Sequence, residues 1–400
     1  MYNECIKNKG VPFLSGGRNA FLFYCRISKH HSDLCLIQLG SDGINGAASV
    51  LNIKNTVKER KVINMSRSLY IPEGYKSSLT LRETQHAIKY IKDIFQQALS
   101  FSLTLDRVSA PLIVKEGSGI NDDLNGVERK VSFDIKEIDG NAEVVQSLAK
   151  WKRMALYRYG YKSGEGIYTD MNAIRRDDDT DNTHSIFVDQ WDWEKVITKD
   201  QRNIEFLKDT VKNVVKAVAF TKRKVSLRYP QLDAEICDEP FFITTQELED
   251  MYPDKTGHER ERLITKEHKT VFLMGIGGKL KSGEKHDGRA PDYDDWALNG
   301  DILFWDEVLN DSLEVSSMGI RVDSESLKRQ LAECGAEDRM QYKYHQMIAD
   351  GTLPLTIGGG IGQSRICMLL LEKAHIGEVQ SSVWRDEVIK ECADHGIILL

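Results

Sequence analysis

Four glycines stand in the run Gly-Gly-Gly-Ile-Gly-Gln-Ser-Arg at residues 358–365. A backbone without Cβ atoms can approach a flat or charged ligand closely. Helix-spaced apolar residues follow at 366–370, so the pattern predicts a glycine-rich turn at a helix start, where backbone N–H groups can bind an anion. Arg365 could add a forked cation for a phosphate. Such turns are common, and the motif alone leaves both nucleotide binding and an ordinary turn open.

A second candidate is the predicted strand at residues 185–193 and its continuation to Glu194. Side chains alternate along a strand, so Gln190, Asp192 and Glu194 share one face, and Trp191 and Trp193 share the other. This pattern predicts a polar site floor above a packed core. The alternative is the solvated outer face of a half-buried strand.

Cations stand near this strand in the sequence. Arg175 and Arg176 precede the acidic turn 177–179, and an arginine, a polar loop and a polar-faced strand together make a hairpin able to clamp a phosphate. Residues 149–157 are predicted to be helical and carry the cationic cluster Lys150, Lys152 and Arg153. This cluster could bind a carboxylate, or it could be a basic surface patch.

Residues 286–296 combine one arginine, Arg289, with four carboxylates around a rigid Ala-Pro. The carboxylates are Asp287, Asp292, Asp294 and Asp295. Such a density of charge is unfavourable unless the groups are paired, solvated or bound to a ligand. The alternative is a turn that merely exposes them.

Oxygen ligands for a metal are suggested by Asp301, with Glu314 and Ser316 thirteen and fifteen residues later. Two strands joined by a turn would bring Asp301 and Glu314 together, and carboxylates suit Mg²⁺ that bridges nucleotide phosphates. Zinc is disfavoured because no His or Cys lies at ligand spacing. The segment 121–126 has a turn composition, and its Asp122 is a candidate acid or base.

The remaining elements form a mixed pattern. A capping box at Thr80 and Glu83 predicts a long helix, and residues 201–220 and the segment from Asp323 to Gly335 predict two more. Strands are predicted at 107–115, 130–135, 270–274 and 301–305, with Pro111 suited to an edge or interface. Strands and helices without a βαβ rhythm predict an α+β fold, an antiparallel sheet with helices on one face.

Composition limits the function. The formal net charge of the 400 residues is −7, which argues against a nucleic-acid coat and against attraction to anionic membranes. No apolar run approaches the roughly 18 residues of a membrane span. The seven cysteines lack zinc spacing, which predicts reduced thiols and a cytoplasmic protein.

Residues 1–64 differ from the rest, with nine Lys/Arg against four Asp/Glu, a net of +5 that leaves −12 for the remainder. They could be a transit peptide, a poorly ordered extension, or a segment upstream of a true start at Met65, the interpretation we favour. We therefore divide the chain into an N-terminal extension, 1–64, and a catalytic domain, 65–400.

Taken together, these motifs resemble those of a known family. The hairpin from Arg175 to Glu194 resembles motif 2 of the class II aminoacyl-tRNA synthetases, the long helix with the Pro111 strand resembles motif 1, and residues 358–365 resemble motif 3. The resemblance is closer to the ammonia-dependent asparagine synthetases. It lies in the blocks 147–153, 188–193, 289–296, 298–301 and 316–321.

The resemblance implies a class II synthetase-like fold and a two-step ligation. L-Aspartate and ATP would give β-aspartyl adenylate and pyrophosphate, and ammonia would then displace AMP to form L-asparagine. It also implies a homodimer through the motif 1 helix and strand. The rival interpretations are an aspartyl- or asparaginyl-type tRNA synthetase, or a paralogue of one, and a regulator that binds without catalysis.

The resemblance also assigns residues to roles. Nucleotide binding is implied for Arg175, His184, Ser185, Ser316, Gly360, Gly362 and Arg365, with Arg175 on the α-phosphate. Aspartate binding is implied for Lys152, Gln190, Asp192, Arg289, Asp294 and Arg321. Asp301 and Glu314 would carry Mg²⁺, and Asp122 would receive ammonium and take its proton. The residues implied to be catalytic are Asp122, Lys152, Arg175 and Arg365.

Overall fold

The computed structural model describes residues 21–24, 34–37, 69–122 and 128–400. Spatial contacts divide the chain into two compact units, Met1–Met65 and Ser66–Leu400. In the first unit, β1 (Phe21–Tyr24) pairs antiparallel with β2 (Leu34–Ile37). Apart from these two strands, residues 1–64 lie outside the described residues, and our three interpretations of this segment stay predictions.

The second unit contains the remaining elements. Its strands are β3 (Leu105–Arg107), β4 (Ile113–Lys115), β5 (Ser132–Asp134), β6 (Asn141–Val144), β7 (Gly166–Ile174), β8 (Phe187–Val196), β9 (Phe241–Thr244), β10 (Thr270–Met274), β11 (Asp294–Asp306), β12 (Asp311–Arg321) and β13 (Thr356–Gly362). Its α-helices are α1 (Leu81–Leu103), α2 (Ala149–Tyr159), α3 (Ile204–Arg228), α4 (Thr245–Met251), α5 (Gly257–His268), α6 (Ser324–Cys334), α7 (Lys343–Ala349), α8 (Gln363–Leu370) and α9 (Asp386–Asp394).

Most of these strands form one eight-stranded sheet in the spatial order β3-β7-β8-β13-β12-β11-β10-β9. The pairs β3–β7 and β10–β9 at its two edges are parallel, and all other neighbours are antiparallel. The strands β4, β6 and β5 form a small antiparallel sheet with β6 in the middle. The predicted α+β class with a largely antiparallel sheet is therefore confirmed.

Helices α1 and α3 pack against one face of the large sheet. Phe95 of α1 and the two tryptophans of β8, Trp191 and Trp193, are buried in the main core with the apolar face of α3. The rings of Phe95 and Trp191 lie 4.6 Å apart between centroids. Because side chains alternate along β8, its polar residues point to the other face of the sheet.

Several helix boundaries follow local signals in the sequence. The Thr80 hydroxyl accepts a hydrogen bond from the Glu83 N–H, and the Glu83 carboxylate accepts one from the Thr80 N–H at 2.9 Å, so α1 begins where the capping box predicts. Helix α6 begins after Asp323 and ends at Gly335, whose φ of 63° is left-handed. The strand predicted at 270–274 is β10.

Two predicted elements are wrong. Residues 358–362 are not a turn but part of strand β13, which pairs with β12 on one side and β8 on the other. The strand predicted at 107–115 is two short strands in different sheets, β3 and β4, with Pro111 between them. Proline has no N–H to donate to a ladder, so it interrupts the run.

Within the described residues, no helix is both long enough and apolar enough to cross a membrane.

Candidate active site

A cleft of about 690 Å³ opens on the face of the sheet that carries the polar side chains of β8. All of the predicted site residues except Asp301 line it. These are Asp122, Lys152, Arg175, His184, Ser185, Gln190, Asp192, Arg289, Asp294, Glu314, Ser316, Arg321, Gly360, Gly362 and Arg365. The fold thus brings together residues that are as much as 243 positions apart in the sequence, from Asp122 to Arg365.

Gln190 and Asp192, on the polar face of β8, lie at the floor of this cleft, and the face is not a solvated surface. The exposed fraction is 3% for Asp192 and 0% for Glu194. The alternative of an outer, water-facing strand is therefore wrong.

The cationic cluster on α2 is also buried, so the alternative interpretation of this cluster as a basic surface patch is wrong. Lys152 forms an ion pair with Asp192 and donates a hydrogen bond to the Gly359 carbonyl at 3.0 Å. Lys150 pairs with Asp292, and Arg153 donates to the Val322 carbonyl at 2.7 Å. Burial lowers the pKa of Lys152, although the charge of Asp192 opposes the shift.

Strand β13 lies under these side chains, and its glycines make the space for them. A Cβ at Gly358 would run into the Glu194 carboxylate and lie 2.7 Å from Nη2 of Arg321. A Cβ at Gly360 would lie 2.8 Å from Cδ of Gln190. The glycines therefore let side chains from both neighbouring strands cross the middle of the sheet.

Arg321 and its two carboxylates form the central ion-pair cluster. Its guanidinium contacts Glu194, with Nη2 at 2.8 Å from Oε2, and pairs with Asp294 on the other side. Glu194 also accepts a hydrogen bond from the Thr356 hydroxyl at 2.6 Å. Burial opposes the charge on Arg321, but the two carboxylates outweigh it and hold its pKa well above the usual value.

The charged stretch 286–296 is largely internal and paired. Arg289 places Nη2 2.5 Å from Oδ1 of Asp301. Asp292 accepts from Lys150 and His345, and Asp295 pairs with Arg202. The alternative of a turn that merely exposes its charges is therefore wrong for Asp292, Asp294 and Asp295, which are buried.

Asp301 and Glu314 lie on the neighbouring strands β11 and β12, as their spacing predicts. Burial, together with the charge of Glu314, raises the pKa of Asp301 to about 7, even though Arg289 opposes the shift. A buried carboxylate, Asp301, beside the half-exposed carboxylate of Glu314 fits a divalent cation, since the two repel each other. No cluster of three or more metal-ligating side chains occurs among the described residues, so phosphate or water oxygens would have to complete the coordination.

The end of the cleft beside Glu314 carries the residues predicted for the nucleotide. Arg365 donates a hydrogen bond to the Glu314 carbonyl at 2.9 Å. Nε and Nη2 of Arg175 each donate to the Gln146 carbonyl at 3.4 Å. The His184 ring lies 2.9 Å from Asp181. Two serines complete this end: the Ser185 hydroxyl is 2.6 Å from that of Ser382, and the buried Ser316 hydroxyl has no hydrogen-bond partner among the described residues.

Asp122 lies at the edge of the cleft with an exposed fraction of 1%. Its backbone N–H donates to Oδ1 of Asn121 at 3.0 Å. The rest of the predicted turn, 123–126, lies outside the described residues.

Sequence reasoning missed two residues at the cleft. Oδ1 of Asp189 accepts the Ser364 N–H at 3.0 Å and so holds the first turn of α8, from which Arg365 projects. Tyr293 lines the cleft with the Arg321 guanidinium 5.7 Å from its ring centre. In the alternation of β8, Asp189 falls on the same side as Trp191 and Trp193, so the pattern did not predict it as a site residue. Tyr293 lies within the charged stretch 286–296, and this position was the one indication in the sequence that it belongs to the site.

The sheet, its polar floor and its arginines define a protein with the class II aminoacyl-tRNA synthetase fold. An asparaginyl-tRNA synthetase from Entamoeba histolytica, in complex with asparaginyl-adenylate, has a TM-score of 0.53 at 14% identity, over 75% of this chain and 66% of its own length. The Pyrococcus horikoshii asparaginyl-tRNA synthetase complexed with asparaginyl-adenylate has a TM-score of 0.54 at 16% identity, over 74% of this chain and 68% of its own.

The sequence comparisons are more specific. The family model for aspartate-ammonia ligase matches residues 82–396. The aspartate–ammonia ligase of Clostridium tetani is 60% identical over 339 residues, which cover 84% of this chain and 99% of that protein. The Lactobacillus johnsonii protein of the same name is 57% identical over 335 residues, 83% of this chain and 100% of its own length. The chain belongs to the aspartate–ammonia ligase family.

The glycine strand gives a stability prediction. Gly358→Ala should lower the free energy of unfolding by about 3 kcal/mol, because its Cβ forces the buried Glu194–Arg321 pair apart. Gly360→Ala should lower it by less than about 1 kcal/mol, because the Gln190 side chain can turn aside. Urea unfolding measures both, with Gly278→Ala as a control whose Cβ meets nothing within 4 Å. Equal losses at positions 358 and 360 would contradict this explanation of the glycines.

Proposed function

We propose that this protein makes L-asparagine from L-aspartate, ammonia and ATP, with β-aspartyl adenylate as the intermediate. Its membership of the aspartate–ammonia ligase family supports the overall reaction. The observation that carries the proposal is a pair of buried ion pairs on either side of β13: Lys152–Asp192 beside β8, and Arg321–Asp294 on β12 and β11. Aspartate presents two carboxylates and one ammonium, and two cations beside two carboxylates match that charge pattern.

In the first step, an oxygen of the aspartate β-carboxylate attacks the α-phosphorus of ATP, and pyrophosphate leaves. Negative charge develops on the phosphate oxygens, and we assign Arg175 to the α-phosphate and Arg365 to the nucleotide because arginine binds phosphate through two parallel hydrogen bonds. Gly360 and Gly362 allow the nucleotide to approach β13 closely. His184, Ser185 and Ser316 complete the nucleotide end of the cleft.

Aspartate itself would lie over the middle of β13. We assign its carboxylates to Lys152 and Arg289, with Arg321 beside them. Asp192 and Asp294 would face its α-ammonium group, with Gln190 hydrogen-bonding nearby. Oδ2 of Asp192 is buried without a hydrogen-bond partner among the described residues, so this oxygen is free to accept a bond from the substrate.

In the second step, ammonia attacks the β-carbonyl carbon of the adenylate, the bond to the phosphate oxygen breaks, and AMP leaves. Only neutral ammonia has the lone pair that this attack needs, so ammonium must first lose a proton. We assign this proton transfer to Asp122, a carboxylate at the edge of the cleft.

The decisive experiment follows the products. Purified protein is incubated with aspartate and ATP, alone, with ammonium, or with tRNA. We expect asparagine, AMP and pyrophosphate in the ammonium arm. Pyrophosphate release stimulated only by tRNA, with aminoacyl-tRNA as the product, would replace this proposal by a tRNA synthetase.

Asp122→Ala should separate the two steps. The variant should keep aspartate-dependent exchange of pyrophosphate into ATP, because adenylation does not use this carboxylate. Its rate of asparagine formation should fall by about a hundredfold or more, the usual range for loss of a general base. Asp122→Asn is the matched control for shape. A parallel loss of exchange and amidation would remove this role from Asp122.

Mg²⁺ would be held by Asp301 and Glu314, where it would neutralise charge on the phosphates. Chelation with EDTA should abolish the exchange of pyrophosphate. Asp301→Asn should raise the Mg²⁺ concentration for half-maximal exchange by about tenfold or more, and Glu314→Gln should do the same. Glu307→Gln, at an exposed residue after β11, is the control. An unchanged Mg²⁺ dependence in both site variants would place the metal elsewhere.

We also propose how the chain is organised. Residues 65–400 form the catalytic domain, consistent with the family match at 82–396; an inactive chain beginning at Ser66 would argue otherwise.

The enzyme is a cytoplasmic homodimer that pairs through α1 and the Pro111 segment, near which Phe101, Leu112 and Ile113 are exposed. Sedimentation equilibrium should give twice the 45.5 kDa chain mass, and a monomer would contradict the dimer.

A further inference from the structure

Asn121, next to Asp122, is a buried amide whose hydrogen-bonding capacity is fully used. Its Nδ2 donates to Oε2 of Glu143 at 3.0 Å and to the Val144 carbonyl at 3.1 Å. Its Oδ1 accepts the N–H groups of Asp122 at 3.0 Å and Gln146 at 2.9 Å. An amide offers two donors and two acceptor positions, so this side chain has one orientation that satisfies all of them.

Glu143 holds that orientation. It lies in β6, the central strand of the small sheet, where it faces Val114 of β4 and Ser132 of β5. Its exposed fraction is 5%, and Lys130 lies 3.5 Å from its Oε2. A buried carboxylate on a strand paired on both sides is a firm point of attachment for Asn121.

We propose that Glu143, through Asn121, is a positioning residue for the amidation step: it fixes the main chain at Asp122 so that this carboxylate can receive ammonium. The inference rests on the proposed function and on the role of Asp122 in it. Hydrogen bonds are directional, and a base must lie within hydrogen-bond reach of the proton that it takes.

Other backbone hydrogen bonds also hold the segment that leads from β6 to the residues assigned to adenylation. The Val145 N–H donates to the Leu112 carbonyl at 3.0 Å, and the Val145 carbonyl accepts from the Ile174 N–H at 3.4 Å. These bonds hold the connection between β6 and α2 at Val145, in addition to the one that Asn121 accepts from the Gln146 N–H. Loss of the Glu143–Asn121 bond should therefore affect Asp122 far more than Lys152 or Arg175.

The test compares Glu143→Ala with Glu143→Gln. Glu143→Ala should raise the KM for ammonium by about tenfold, since it leaves the Asn121 amide without its charged acceptor. Its aspartate-dependent pyrophosphate exchange should stay within about twofold of wild type. Glu143→Gln keeps an acceptor oxygen and should recover most of the ammonium affinity. Glu116→Gln, at an exposed residue just after β4 in the same small sheet, is the matched control.

A second nucleophile separates positioning from general damage. Hydroxylamine is uncharged at neutral pH and needs no base before it attacks, so Glu143→Ala should form β-aspartyl hydroxamate at nearly the wild-type rate. If Glu143→Ala folds poorly by circular dichroism, Asn121→Asp provides the same test from the other end. It keeps Oδ1 but puts an oxygen in place of the donor to Glu143.

Equal losses of exchange, ammonium use and hydroxylamine use would overturn the inference, as would an unchanged KM for ammonium in Glu143→Ala. Failure of the proposed function gives a different result, because wild-type protein would then form no asparagine with ammonium.

Discussion

The cleft depends on β13, a strand in the centre of the sheet that has glycine at four of its seven positions. Strand β13 places Gly358 and Gly360 under Glu194, Arg321 and Gln190, and the Gly359 carbonyl accepts from Lys152. Buried charges are unfavourable unless they are paired and hydrogen-bonded. The glycines permit that pairing, since the Glu194 carboxylate of β8 can reach the Arg321 guanidinium of β12 only where β13 between them has no side chain.

Helix α8, which follows β13 directly, is also fixed to the sheet. Asp189 accepts the backbone N–H of Ser364 and so ties the first turn of α8 to β8, while the side chain of Gln363 donates to Asp170 of β7 at 2.8 Å. Arg365 therefore projects from a helix that is anchored at its first residues. Rigid support of this kind suits the role that we propose for Arg365, since its guanidinium would not need to reorganise as charge develops on a phosphate.

The sequence predicts the locally coded parts of this structure and misses those that depend on distant contacts. The capping box at Thr80 and the alternation around Trp191 are local, and both are confirmed. Glycine has a low preference for strands and a high one for turns, so 358–362 predicted a turn; only its pairing with β8 and β12 makes it a strand. The hydrogen bond between Asn121 and Glu143 joins residues that are 22 positions apart, and Glu143 lies on a strand with a neighbour on each side. Neither residue belongs to a sequence motif that would predict this bond. The site residues themselves were predicted through a family resemblance together with their residue types, and their roles stay predictions.

Everything proposed for the cleft depends on activation of the aspartate β-carboxylate by its attack on the α-phosphorus of ATP. Aspartate labelled with ¹⁸O in its β-carboxylate tests this directly. When ammonia displaces AMP, the bridging oxygen leaves with the phosphate, so mass spectrometry should find one ¹⁸O in each AMP and none in pyrophosphate. Label in inorganic phosphate or pyrophosphate, with unlabelled AMP, would contradict the adenylate and with it the assignment of Arg175 and Arg365.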